Sequence, residues 1–311
     1  MKNKNTIIIL LLIGVMSLTV RTILDSQFAH STLLYLAVPF LISIAIGYLT
    51  HPSTRQGYLW HYLNHLRIST IVFLASAAFL FEGFICVLVF MPIYYFFVSI
   101  GHLTVWIINK NKHRQSPNQL HALSLPILVL VATLEGLTPL TSFPRDMAVS
   151  HSSYTPLTVT ELHENLAQPF SFANERHWFV RLFPGPDEIR AGSLNQGDTH
   201  QLDFTYKRWI WSNIHRGTMD VALDKVTQNH IRTVVTHNDS YLANYLDLRG
   251  TDVHFIPHQG GGTTVSVTVR YKRILDPAWY FGPLQRFAVK QCAYLLLRDV
   301  VLRYPIETHP I

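Results

Sequence analysis

Residues 263–303 read TTVSVTVRYKRILDPAWYFGPLQRFAVKQCAYLLLRDVVLR, and the fold of the second half of the chain is decided here. Val265, Val267 and Val269 alternate with Ser266, Thr268 and Arg270, the period of a strand with one buried and one wet face. The Asp276–Pro283 run then breaks the alternation, and Leu284, Phe287/Ala288, Cys292, Leu295/Leu296 and Val300 recur at three-to-four spacing. That stripe predicts an amphipathic helix reaching about Arg303.

Upstream, the sequence keeps producing strands. Thr251–Pro257 pairs with Thr263–Ile274 across His258-Gln259-Gly260-Gly261-Gly262, a loop whose glycines supply positive φ. Ile214–Val226 and Ile231–Thr236 flank Thr227-Gln228-Asn229, and Glu188–Leu194 and His200–Tyr206 flank Asn195-Gln196-Gly197-Asp198. Leu157–Leu162 also alternates and is read as the opening strand, followed by an irregular insert over Pro169–Phe183. A curved antiparallel sheet gripping one long C-terminal helix across its concave face fits this order. Such an arrangement leaves a cavity between sheet and helix, suited to apolar ligands. The domain is placed at 156–305, after a Ser-, Thr- and Pro-rich linker at 141–155.

The first half has another composition. Of 25 Lys+Arg and 19 Asp+Glu in 311 residues, residues 1–140 hold 8 and 3. The overall charge of +6 and the pI of 9.3 therefore belong to that half and do not signal nucleic acid as a partner. Apolar runs predict an N-terminal α-helical transmembrane bundle of about five spans, near residues 6–24, 32–50, 68–88, 90–109 and 119–137. Lys2, Lys4, Arg55, Arg67, Lys110, Lys112 and Arg114 fall on one side, against Arg21 on the other. The positive-inside rule then puts the N-terminus in the cytoplasm and the C-terminal domain outside, periplasmic in a bacterium. Glu82 and Glu135 lie inside apolar runs, each followed by Gly, as intramembrane polar candidates or helix-end markers. His61 and His65 are four apart but lack the Glu of H-E-x-x-H, and with Tyr58, Trp60 and Tyr62 they read as an interfacial aromatic belt.

The order of elements, with the P-x-W-Y-F-G-P run of Pro277–Pro283, resembles the SRPBCC (START-like, helix-grip) superfamily, including polyketide cyclase and dehydrase-like domains. A bacterial subgroup with N-terminal spans is similar more fully. It has an E-G-x-I-C segment, here Glu82–Cys86, and an H-W-x-x-R-L-x-x-P-x-P stretch, here His177–Pro186. The resemblance implies an α+β helix-grip domain that binds a lipid or another hydrophobic small molecule at the bilayer. His177, Trp178, Arg181, Trp209, Trp211, Tyr241, Tyr245, Trp279 and Tyr280 are the candidate ligand-binding residues, with His177 or Arg181 near a polar head group. Two alternatives stand beside it: a cyclase-, dehydrase- or hydrolase-type enzyme in the same cavity, and an interaction module for a membrane protein partner. His237-Asn238-Asp239-Ser240 and His254-x-x-x-His258 contain catalytic residue types without a readable triad. There is no P-loop, G-x-G-x-x-G, C-x-x-C or H-E-x-x-H, so no metal or cofactor is called for by motif and no catalytic residue is assigned.

Overall fold

The computed structural model describes residues 40–41, 43–44, 57–79, 84–112, 131, 134–135, 139–172, 185–209 and 212–303. The chain forms two compact units, Met1–Phe143 with Leu275–Tyr280, and Pro144–Ile274 with Phe281–Ile311. The proposed spans at 6–24 and 119–137 lie largely outside the described residues, as do most of 32–50 and Glu82.

In the first unit, α1 (Tyr58–Phe79) and α2 (Phe84–Lys112) are the long helices described. The expected break near residue 89 is absent. Pro92 lies inside α2, which runs unbroken from Phe84 to Lys112. Leu88–Ile107 is long and apolar enough to cross a membrane, the one such stretch among the described residues. The interior of this unit mixes apolar residues such as Ile93, Phe97 and Val98 with buried hydroxyls and imidazoles. Tyr94 donates to the Ser69 carbonyl at 2.8 Å, and the Thr70 and Tyr95 hydroxyls meet at 2.8 Å. Ser43 Oγ donates to the Val98 carbonyl at 2.7 Å, and Gly101 lets Ser43 approach, since a Cβ there would lie 2.7 Å from the serine. Trp60, Leu63, Ile71 and Phe96 are exposed on the opposite faces. Small residues and interhelical hydrogen bonds are how helices associate where the surroundings are as apolar as leucine.

In the second unit eight antiparallel strands form one sheet, ordered β1-β8-β7-β6-β5-β4-β3-β2. They are β1 (Asp146–Thr155), β2 (Phe170–Ser171), β3 (Pro186–Arg190), β4 (Thr199–Trp209), β5 (Ser212–Thr227), β6 (His230–Asn238), β7 (Leu246–Pro257) and β8 (Thr263–Arg273). Helix α3 (Val159–Ala167) follows β1, and α4 (Ala278–Leu295) runs on into a wider π-type turn at Leu296–Val301. Leu296 packs against clusters containing Val149 of β1 and Ile189 of β3. Those strands are six places apart, about 29 Å across a flat sheet at ~4.8 Å per strand, whereas a helix is only about 10–12 Å thick. The sheet must curl for the one helix to join the cluster of Val149 through Val289 and Ala293 and that of Ile189 through Val300.

Three expectations are corrected. The linker at 141–155 is mostly edge strand β1. Its serines escape a hydrophobic reading because they serve the wet face, where Ser150 pairs with Thr268 at 2.8 Å and Ser152 with Ser266 at 2.9 Å. The strand expected at Leu157–Leu162 is the start of α3. Thr158 caps it by accepting the Glu161 N–H, while Glu161 accepts the Thr158 N–H at 2.7 Å, a capping box spelled T-x-x-E. The stripe of α4 is also rotated by about one residue. The buried row is Phe281, Gln285, Val289, Ala293, Leu297 and Val301, and Phe287 is 40% exposed. Leu295 and Val300 of the expected stripe are buried as well and Leu296 packs on the core, so the shift is confined to the N-terminal turns, where apolar residues stand on more than one side of the helix.

β7 contains the feature on which its side-chain orientation turns. Leu246 and Leu248 face inward at one end, and Val253 and Phe255 at the other, which strict alternation forbids. A bulge between Leu248 and Gly250 absorbs the extra residue. Gly250 has φ +143°, and a Cβ on it would collide with the Thr233 carbonyl oxygen.

Gly250→Ala should therefore destabilise the fold by about 3 kcal/mol or more, read as a lower unfolding temperature of the full chain in detergent. The Thr158 N–H and hydroxyl hold the Glu161 carboxyl below its usual range. Its contribution is present above the unfolded-state value and lost as pH falls through the lower folded one. Glu161→Gln should lower stability slightly at neutral pH and leave it nearly unchanged below the folded carboxyl value, which flattens the acid limb of the stability profile.

Candidate functional site

The inner face of β4 carries Leu202, Phe204 and Tyr206, all buried, and the last of these leads to an aromatic group. Tyr206 stacks on Tyr241 with ring centroids 4.8 Å apart at 21°. Tyr241 also meets Tyr245 at 5.7 Å and His215 of β5 at 5.6 Å, and the Tyr245 hydroxyl lies 3.3 Å from that of Tyr241. From α4, Gln285 donates through Nε2 to the Tyr245 carbonyl at 2.8 Å. Its Oε1 is buried and accepts no hydrogen bond among the described residues, although the residue is only 9% exposed. An unpaired buried amide oxygen costs about 1–3 kcal/mol relative to a paired one, so such atoms ask for a donor.

The turn between β6 and β7 holds this group in place. Asn238 Oδ1 accepts the Ser240 N–H at 3.1 Å and its hydroxyl at 2.7 Å. Asp239 Oδ1 accepts the Thr218 N–H of β5, which holds its carboxyl below the usual range. The short helical turn Tyr241–Asn244 follows directly. Gly217 permits the approach, since a Cβ there would be 2.6 Å from the Asp239 carbonyl oxygen. Asn238-Asp239-Ser240 thus clasps a turn, a structural task for residues of catalytic type.

The other end of the interior is filled. Leu162, Leu223, Val253, Phe255, Val265, Val267, Leu297 and Val301 form one cluster, and Ile189, Leu202, Phe204, Met219 and Val300 another. Asn165 closes that end by donating to the Val301 carbonyl at 3.0 Å, and Arg303 donates to the Gln168 carbonyl at 2.9 Å. An open groove of about 360 Å³ lies outside this core, where α3 meets the β5–β6 turn beside His163 and Gln228. It is shallow and solvent-facing.

Of the expected ligand residues, Tyr241 and Tyr245 come together, joined by Tyr206, His215 and Gln285, which the sequence reading did not select. Trp209 ends β4; its side chain, with Trp211, His177, Trp178 and Arg181, lies outside what is described. Trp279 and Tyr280 belong to the first unit. There Tyr280 donates to the Val89 carbonyl at 2.6 Å and packs with Phe40, Ile93 and Phe97, while Trp279 is 55% exposed. In that unit Glu135 accepts the N–H of Ala278, the first residue of α4, at 2.6 Å. A carboxylate at a helix N-terminus complements its dipole, which gives Glu135 a capping role. His65 is buried rather than interfacial. Ser43 Oγ spends its proton on Val98, so His65 Nε2–H must donate to Ser43 Oγ at 2.7 Å. The His102 ring of α2 lies 4.9 Å away. His254 and His258 part company, the latter bonding Thr264 at 2.7 Å in the β7–β8 loop.

An antiparallel sheet curled about a C-terminal helix, with a helix inserted after the first strand, has one description. The second unit has a helix-grip architecture. Solved structures share this arrangement at low sequence identity. A START superfamily protein from Mycobacterium smegmatis is 13% identical, covering 49% of this chain and 96% of its own, with a TM-score of 0.32. A protein from Thermus thermophilus is 13% identical over 50% of this chain and 96% of its own, with a TM-score of 0.31. Ginseng major latex-like protein 151 from Panax ginseng is 12% identical over 49% and 99%, with a TM-score of 0.26. Neither a family model nor a curated relative matches the chain. The architecture is assigned from the strand order and from the inner-face packing of α4.

Gly217→Ala should push the Asp239–Ser240 turn off β5, costing about 2 kcal/mol. The check is the thermal midpoint together with loss of the near-UV tyrosine signal of the Tyr206–Tyr241 stack.

Proposed function

We propose that the chain is a membrane-held, non-catalytic binder of an amphiphilic small molecule such as a lipid, lodged at the Tyr206–Tyr241–Tyr245 end of the helix-grip domain. The observation that carries this reading is Gln285 Oε1, a buried acceptor left without a donor among the described residues, on a side chain whose Nε2 holds the carbonyl of Tyr245. A ligand with a hydroxyl or N–H on an apolar body would supply the donor and cover the rings. The filled core around Leu297 and Val301 directs the ligand to this end.

The membrane half of the proposal rests on the first unit. Its described helices bury His65, Ser69, His102 and Thr104 and expose Leu59, Trp60, Ile71 and Phe96, the reverse of a water-soluble surface. Five crossings, with the basic loops inside, would place the second unit on the outer face of a bacterial inner membrane.

Native mass spectrometry of the full chain released from detergent should show a retained lipid-sized adduct. A fluorescent long-chain alcohol probe should bind the parent and lose about tenfold in affinity with Gln285→Leu, a loss of about 1.4 kcal/mol. Gln285→Glu should restore part of it for a hydroxylated probe. An adduct-free parent that leaves the probe unbound would overturn the reading.

A further inference from the structure

The outer face of the curled sheet carries a side-chain group that the binding site does not use. His230 opens β6 directly opposite His254 of β7, and Asp252 lies two residues back on the same face. The two imidazoles stack with centroids 4.1 Å apart and 5° between planes, and His230 Nε2 lies 3.0 Å from Asp252 Oδ1. One ligand atom from each of the three residues falls within 4.8 Å of the other two. The bulge at Gly250 creates the group. Without it Asp252 and His254 would share the face of Leu246 and Leu248, inside the core.

We propose that His230, Asp252 and His254 form a site for a divalent transition cation of the zinc class. Two neutral imidazoles and one carboxylate oxygen would bind it, with a further position open to water. Zinc-ligand bonds of about 2.0–2.2 Å place tetrahedral ligand atoms about 3.4 Å apart. The His230–Asp252 separation already meets that, and exposed His254 reaches it by turning its ring. On binding, Asp252 Oδ1 exchanges the His230 N–H for the cation, and the His230 proton moves to Nδ1. Arg270 Nε holds Oδ2 at 2.7 Å and donates from Nη2 to the Thr233 carbonyl at 2.9 Å, fixing the carboxylate from behind. Arg232 lies 3.9 Å from Oδ1 and is itself drawn toward Asp224 at 3.5 Å. Two nearby guanidiniums weaken cation binding, so the site is a modest one rather than a tight cage.

The position of the site gives the cation a task. β6 and β7 pair only at His230–His254, Ile231–Val253 and Arg232–Asp252, the shortest ladder between long strands of the sheet. A cation across that seam clips the two halves of the curled sheet together.

The test uses the full chain in detergent, purified without a polyhistidine tag and stripped with chelator. Zinc titrated calorimetrically should bind the parent and raise its unfolding temperature. His254→Ala, at an exposed position, should weaken binding by about tenfold or more and abolish the thermal shift. His258→Ala should leave both unchanged. Cobalt should give visible d–d absorption in the parent that disappears with His254→Ala. Equal zinc uptake by parent and His254→Ala, or no uptake by either, overturns the site. Uptake lost in His254→Ala without a thermal shift in the parent overturns the clip.

Discussion

A single amphipathic helix must be covered on its apolar side by eight strands, and the architecture of the second unit follows from that demand. The helix joins the cluster of Val149 through Val289 and Ala293 and that of Ile189 through Val300, which a bent sheet makes possible. Bending an antiparallel sheet requires irregularities in its ladders, and the pairing shifts at Pro186/Glu188, Asp220/Val221, Leu223/Lys225 and Leu248/Gly250 supply them. Each shift re-aims the side chains beyond it. The one in β7 sends Val253 and Phe255 inward and leaves Asp252 and His254 outside, so core packing and the histidine pair have a common cause.

The two units differ in what they bury. α1 and α2 bury hydroxyls and imidazoles together with Ile93, Phe97 and Val98, and hydrogen bonds such as Tyr94 to Ser69 join the helices. The second unit buries valine, leucine and phenylalanine and keeps Ser150, Thr268, Asp252 and Arg270 on its outer face. The uneven charge of the chain reflects this division. Acids are scarce in the first 140 residues and nearly balanced by bases in the rest.

Much of the strand order was legible. Alternation in Thr263–Arg273, glycines in the loop before it and the turn residues at Asn195–Asp198 are local signals, and local signals survive folding. β1 was hidden because its serines have a partner strand more than a hundred residues away. α3 was misread although its capping box was present, since Thr158 and Glu161 also fit an alternating pattern. The site was half legible. Tyr241 and Tyr245 stood out as aromatics, whereas Gln285 and Tyr206 gain meaning only from what lies beside them.

Sequence alone determined the antiparallel strands, the closing helix, the contrast between an apolar and a balanced half, and the absence of nucleotide or redox motifs. Each of these rests on composition or on periods of about two and 3.6 residues. Tertiary structure decided which row of α4 is buried, where Trp279 and Tyr280 go, and that His230 faces His254. Those outcomes depend on register, and register is set by a bulge and by contacts between residues distant in the chain, which no local period encodes.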